Sequence, residues 1–189
     1  MAEASGGLRG CPGTHIQTVK KKTGRMQILP YEPSWDSQVV SRYSEAVRYV
    51  PHCYPVTVEA FEPLLHPMVE GGQSHKRLET ETALVAREGS ELVGFIHLGI
   101  SRPEEDEAPR GIIRFLFYER GHRAAGQALL DAAEAYFQKR EIFVVNAFPQ
   151  RYRYPFYCFS HAYLSVQLDP VHALLGFNGY TTIGGEVFL

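Results

Sequence analysis

The sequence predicts an α/β domain in which a mixed, mostly antiparallel central sheet is flanked by helices. Three observations carry that expectation. Residues 82–87 and 91–100 are strand-like runs joined by Glu88-Gly89-Ser90, the pattern of a tight antiparallel hairpin. Over 123–140 the apolar period lengthens, and Leu129, Ala132, Ala133, Tyr136 and Phe137 form one stripe opposite Asp131, Glu134, Gln138 and Lys139, which predicts an amphipathic helix. That helix stands between the apolar runs 111–118 and 142–148, so the second run is reached by a right-handed crossover and lies parallel to the first.

The elements follow in order. Residues 1–25 are rich in Gly, carry Lys20-Lys21-Lys22 and have almost nothing apolar to anchor them, which predicts a mobile arm before one domain over 26–189. A first strand fits 26–31, and Glu32-Pro33-Ser34-Trp35-Asp36 supplies a turn and a helix cap. Val39, Val40, Tyr43, Ala46 and Val47 share one face of the helix that follows, which Pro51 and Pro55 end. A second helix fits 57–65, capped by Thr57 with Glu59 in its first turn. After the hairpin and an acidic loop over 103–109, the run 111–118 is apolar enough to be a central strand buried on both faces. An aromatic-rich loop over 151–163 leads to a short helix capped by Asp169-Pro170, carrying Val171, Leu174 and Leu175 and stopped by Gly179. A final strand is expected over 180–189.

Composition narrows the function. A chain of 189 residues has room for one full core, and its 44% hydrophobic and 21% charged residues are ordinary for a soluble globular protein. A net charge of −2 makes no field for a phosphate backbone, so no nucleic-acid partner is expected. No apolar run approaches the ~18 residues of a membrane span, and the N-terminal stretch lacks the apolar core of a secretory signal, so no membrane partner is expected either. Cys11, Cys53 and Cys158 lie far apart without metal spacing, and an odd count argues against a disulfide framework. The expected location is the cytoplasm, with the nucleus as the alternative, and no metal is expected.

The chemistry is expected where strand 111–118 meets the long helix, at Glu119-Arg120-Gly121-His122-Arg123-Ala124-Ala125-Gly126-Gln127-Ala128. A helix start offers unpaired N–H groups and partial positive charge, and small side chains let a phosphate come close to them. Arg120, His122 and Arg123 add positive charge, which suits an anion with more than one phosphate. A purely structural reading is that Ala124, Ala125 and Gly126 permit close packing of helix on sheet while the arginines are solvated.

This order of elements, with this loop after the fourth strand, resembles the GNAT superfamily of acyl-CoA-dependent N-acetyltransferases. The family's hallmark there is (Gln/Arg)-x-x-Gly-x-(Gly/Ala) followed by a Leu-Leu helix. With Gly126-Gln-Ala-Leu-Leu set on the helix start, Gly121 takes the first motif position, Ala124 the first glycine and Gly126 the second. The register Arg123-Ala-Ala-Gly126-Gln-Ala128 matches the hallmark literally but displaces the helix by two residues. The ending Gly176-Phe177-Asn178-Gly179-Tyr180 is similar to the family's short helix closing on Gly-Phe, and the resemblance spans about residues 26–189.

The resemblance implies a GNAT acyl-CoA N-acyltransferase fold that moves an acetyl group from acetyl-CoA directly to a small-molecule or peptide amine. By the same resemblance, backbone groups of Arg114 to Tyr118, including Leu116, Phe117 and Tyr118, pair with pantetheine. The N–H groups of Gly121, His122, Arg123, Ala124, Ala125, Gly126 and Gln127 hold the pyrophosphate. The usual carboxylate base and tyrosine acid are missing, since 111–118 carries only Arg114 and the usual tyrosine slot holds Leu175. Substitutes are sought in His97 as base and in Tyr157, Tyr163 or Tyr180 as acid, against the more ordinary readings of a satisfied histidine in an apolar strand and of tyrosines that pack or line a substrate cleft. Glu104, Glu105, Asp106 and Glu107 flank the cleft mouth, where they form an exposed turn with no role or, as the alternative, attract a cationic amine, and His161 with Cys158 or Ser160 gives only a weak nucleophile pattern. The alternative is a degenerate, non-catalytic GNAT half that binds CoA weakly or serves as scaffold. GNAT domains add a seventh strand after the one expected at 180–189, so the last strand is missing and a homodimer or a second GNAT domain is expected to cover the open edge.

Overall fold

The computed structural model describes residues 25–65, 78–101, 108–152, 154–157 and 164–184. Within them the chain forms β1 (Met26–Pro30), α1 (Asp36–Val47), α2 (Val58–Leu65), β2 (Thr80–Glu88), β3 (Glu91–Ser101), β4 (Arg110–Tyr118), α3 (Arg123–Gln138), β5 (Val145–Ala147) and α4 (Asp169–Phe177), with short 3-10 turns at Pro33–Trp35 and Gln150–Tyr152. The sheet has the order β1-β2-β3-β4-β5. Every pairing is antiparallel except β4 with β5, which the α3 crossover makes parallel. The fold is therefore the mixed, mostly antiparallel sheet with flanking helices that the sequence predicts.

The hairpin forms where expected, with Glu88 opposite Glu91 and Gly89 at φ 64, a conformation that glycine adopts without a Cβ penalty. Thr57 caps α2 by accepting the Ala60 N–H on its hydroxyl at 3.3 Å. Two other caps differ from expectation. Asp36 and Asp169 are the first residues of α1 and α4 rather than their caps, and neither helix has a side-chain capping bond. At the far end of α4 the expectation holds: Gly179 at φ 83 turns the chain so that the Tyr180 N–H returns to the Leu175 carbonyl at 3.1 Å.

The largest departure is at the C-terminal side. Residues 180–184 form no strand, because no neighbouring strand among the described residues offers backbone partners, and Ile183 is 91% exposed. Residues 185–189 lie outside the described residues, as do 1–24 of the expected arm. The strand expected over 142–148 is also shorter, with Gly111 to Ile113 of β4 pairing only with Val145 to Ala147.

The β4 ladder is irregular just beyond that pairing. Across β3 and β4, Leu98 faces Ile113 and His97 faces Phe115, leaving Arg114 as the extra residue of an irregularity in the ladder. A bulge of this kind bends and twists its strand. β5 ends at Ala147, where the Phe148 N–H still donates to the Ile113 carbonyl at 2.8 Å before the chain turns at φ 54, so Arg114 to Tyr118 of β4 have no strand beside them on that side among the described residues.

The two faces of the sheet are covered differently. Tyr43 of α1 and Phe61 of α2 pack on Phe95 and Phe115, with ring centroids 5.2 to 6.3 Å apart. On the other face α3 presses on glycines: a Cβ on Gly94 would meet Leu129 at 2.9 Å, and one on Gly111 would meet Phe137 at 2.9 Å. The core rests on Val39, Val85, Ile96, Ile113, Leu129 and Ala133, all fully buried.

Candidate functional site

β4 ends at Tyr118 and α3 begins at Arg123, so the turn between them is set by the four residues Glu119 to His122. The Glu119 N–H still belongs to the sheet, donating to the Val93 carbonyl at 2.9 Å. The chain then reverses: the His122 N–H donates to the Glu119 carbonyl at 3.0 Å, with Gly121 at φ 87. A Cβ on Gly121 would meet nothing within 4 Å, so backbone conformation rather than space calls for glycine there.

His122 stands at the helix cap but makes no side-chain capping bond. Its ring turns to the carboxylates of Glu88 (3.3 Å) and Glu119 (3.8 Å), and Arg42 holds Glu119 from the other side at 2.9 Å. The Ala125 and Gly126 amides return to the His122 carbonyl at 2.9 and 3.3 Å. The amides of Arg120, Gly121, Arg123 and Ala124 have no backbone acceptor among the described residues.

Arg120, Gly121 and Arg123 line a cleft of about 210 Å³, which Tyr118 on one side and Pro170, Ala173 and Leu174 of α4 on the other complete. Arg123 also lies over the Phe177 ring, 4.7 Å from its centroid. The cleft therefore joins unengaged amides, the positive end of α3 and the arginines: the elements of an anion site.

The expected ligand-binding residues divide into groups. Arg120 and Arg123 face the cleft, whereas the His122 imidazole is drawn to Glu88 and Glu119. Ala124 is exposed at the helix start, and Ala125 is buried. Gly126 makes room for a ring rather than for a phosphate, since a Cβ there would stand 2.5 Å from the Tyr118 ring. The Gln127 side chain pairs with Asn178 (2.8 and 3.0 Å), tying α3 to the end of α4. The Tyr118 hydroxyl donates to the Pro170 carbonyl, and burial raises its pKa against the opposing charge of Arg123. Phe117 is buried against Tyr43, and the Leu116 carbonyl accepts the Tyr157 hydroxyl. Sequence reasoning missed the α4 wall; its one signal was Asp169-Pro170, which starts a helix directly opposite the turn.

Around the bulge lies a second polar cluster. Glu81 Oε2 receives His97 Nε2 and Arg114 Nη1, both at 2.9 Å, while His97 Nδ1 pairs with the Tyr154 hydroxyl. Arg114 also donates to the carbonyls of Tyr152 (3.0 Å) and Leu64 (3.1 Å) and stacks on the Tyr154 ring at 4.9 Å. Burial acts to raise the Glu81 carboxyl, but the His97 hydrogen bond and the Arg114 charge outweigh it, holding the group below its ordinary value. Burial pushes the Tyr154 phenol well up.

These contacts make His97 a satisfied structural residue rather than a base. The ring is 1% exposed and both its nitrogens are engaged, so an amine reaches neither without displacing Glu81 or Tyr154. Among the acid candidates, Tyr157 is fully buried and Tyr180 is half-buried, its phenol pushed up to about 12 by burial and by Glu134. Tyr163, Glu104 to Glu107, Cys158, Ser160 and His161 lie outside the described residues. No group of His, Cys, Asp and Glu that could hold a metal is present among the described residues. No helix among them is long and apolar enough to cross a membrane.

No known family model matches the sequence, and no curated protein sequence matches it. The likeness to known proteins lies in the structure. The GCN5-related glucosamine N-acetyltransferase region of a fungal multi-domain GH3 β-N-acetylglucosaminidase is similar over 88% of this chain, at 15% identity and a TM-score of 0.64. This chain spans 18% of that longer protein. The ribosomal-protein-alanine N-acetyltransferase of Brucella melitensis biovar Abortus 2308 is similar over 87% of this chain and 97% of its own, at 16% identity and a TM-score of 0.55. The aminoglycoside acetyltransferase meta-AAC0020 from an uncultured soil metagenomic sample is similar over 87% and 96%, at 14% identity and a TM-score of 0.51. The chain has the GNAT fold.

Proposed function

We propose that this GNAT-fold protein binds the diphosphate of acetyl-CoA at the β4–α3 turn and transfers the acetyl group directly to an amine. One observation supports the reading above the others: the unengaged amides of Arg120, Gly121 and Arg123 border the cleft at the positive end of α3, with that of Ala124 next in the chain. Arg120 and Arg123 complement a multiply charged phosphate group, and the pairing of Glu119 with Arg42 and His122 reduces the repulsion that its carboxylate would exert. In the reaction the amine nitrogen bonds to the thioester carbon, the C–S bond breaks, the amine gives up a proton and the thiolate takes one. The acceptor is an amine of a small molecule or peptide.

A second reading, a CoA-binding domain without turnover, is favoured by specific residues. β4 brings Arg114 rather than a carboxylate to the bulge, Leu175 stands where a tyrosine acid is usual, and His97 and Tyr157 are buried and engaged.

Thermal denaturation with acetyl-CoA tests the shared part of both readings. A ligand at a hundredfold excess over its Kd stabilises the native state by about 2.7 kcal/mol. For a domain of this size that raises Tm by roughly 5 °C or more. Ala124→Glu places a carboxylate beside the same amides at an exposed position, and the rise is expected to disappear while the unliganded Tm stays near the parent's. A parent Tm indifferent to acetyl-CoA overturns both readings. Release of free CoA thiol with spermidine, glucosamine or an alanine-terminated peptide supports transfer, and binding without release supports the second reading.

A further inference from the structure

Beyond Ile113 one side of β4 is left without a strand, since none among the described residues pairs there with Arg114 to Tyr118. A strand side of this kind is a place where an extended, amide-bearing chain adds by backbone hydrogen bonding. The pantetheine arm of CoA is such a chain. Here a side chain of the protein itself fills the position: Tyr157 is fully buried, and its hydroxyl donates to the Leu116 carbonyl. The Tyr157 ring meets Phe115 edge-on at 4.5 Å and Phe148 at 5.5 Å, so it fills the space beside β4 just past the end of β5.

The turn that carries Tyr157 is pinned from several directions. The Tyr43 hydroxyl and the Tyr54 N–H donate to the Phe156 carbonyl at 2.9 and 2.7 Å, and the Cys53 thiol donates to the Tyr157 carbonyl at 3.4 Å. His97 holds Tyr154 at the start of the same turn. The cleft at the start of α3 is lined by none of these residues. One end of an elongated ligand therefore meets open, cationic space, and the other meets a packed tyrosine.

We infer that Tyr157 is a specificity-determining residue: the protein in this conformation holds the nucleotide diphosphate end of CoA and excludes the pantetheine arm until the 154–157 turn withdraws. The inference rests on the diphosphate-binding reading of the cleft, and the test separates the two. Titration calorimetry compares CoA with adenosine 3′-phosphate 5′-diphosphate, the same nucleotide without the arm. The parent is expected to bind both within about twofold, because the arm makes no contact. Tyr157→Phe removes the hydroxyl that occupies Leu116 while keeping the ring in the core, and should raise affinity for CoA at least threefold while leaving that for the nucleotide unchanged. Tyr157→Ala should raise it further if circular dichroism shows the variant folded, and the parent and Tyr157→Phe decide the matter if it does not. CoA binding the parent tenfold or more tightly than the nucleotide overturns the inference and leaves the cleft reading standing, as does the absence of any gain in Tyr157→Phe. Failure of both probes to bind the parent overturns the cleft reading and the inference with it.

Discussion

The face of the sheet under α1 and α2 is packed with rings and carries a polar tie, whereas the face under α3 is packed by aliphatic and aromatic side chains pressed onto glycines. On the first, Tyr43, Phe61, Phe95 and Phe115 meet edge to face, and Glu81, His97 and Arg114 are bound together at one margin. On the second, Gly94, Gly111 and Gly126 leave no space for even a methyl group. The first face is held by large buried area and by hydrogen bonds that lose their value if one partner leaves. The second is held by close approach, so it resists added volume rather than lost volume. The candidate anion cleft opens on this second face, where Tyr118 rests on Gly126.

Substitution should show the contrast as an ordered series. Phe115→Ala, at the centre of the ring cluster and fully buried, is expected to cost about 4 kcal/mol. Urea denaturation measures it, and a loss below 1 kcal/mol would mean that the rings repack freely and the first face is not tightly specified. Gly126→Ala adds one carbon 2.5 Å from a Tyr118 ring whose hydroxyl is already tied to Pro170. About 2 kcal/mol is expected, together with a smaller acetyl-CoA-induced rise in Tm as the ring moves towards the cleft. A neutral outcome on both measures would show that the α3 face has slack.

The smallest expected effect is electrostatic. Glu81 ionises below its ordinary value of 4.5 in the folded chain, so its contribution is fully present well above pH 4.5 and fades as pH falls through the lower, folded value. Denaturation midpoints of the parent and Glu81→Gln should therefore converge as pH drops from 6 towards 3, from a difference of about 1 kcal/mol discounted for partial exposure. A difference independent of pH would mean that the carboxylate acts only through its shape.

Much of the frame could be read from the residues in order. The hairpin at Gly89, the amphipathic stripe of α3 and the parallel crossover to β5 depend on local period and on turn chemistry, which are properties of neighbouring residues. The turn before α3 was legible to the same extent: Gly121 followed by small residues announces a helix start. What each small residue does there was not legible. Gly126 follows the pattern of a phosphate cradle, yet its missing Cβ serves Tyr118, eight positions earlier in the chain.

By itself, then, the sequence determined most of the strands and helices up to α4 and where unengaged amides gather. Only the tertiary structure decided what closes on them. His97 acquires both its partners from elsewhere, Glu81 from β2 and Tyr154 from the segment after β5, and Tyr157 reaches the Leu116 carbonyl of β4 from a turn far along the chain. The physical reason is that periodicity records which face of an element is apolar, whereas a hydrogen bond across the core depends on how two distant elements are set against each other, and no local pattern encodes that distance.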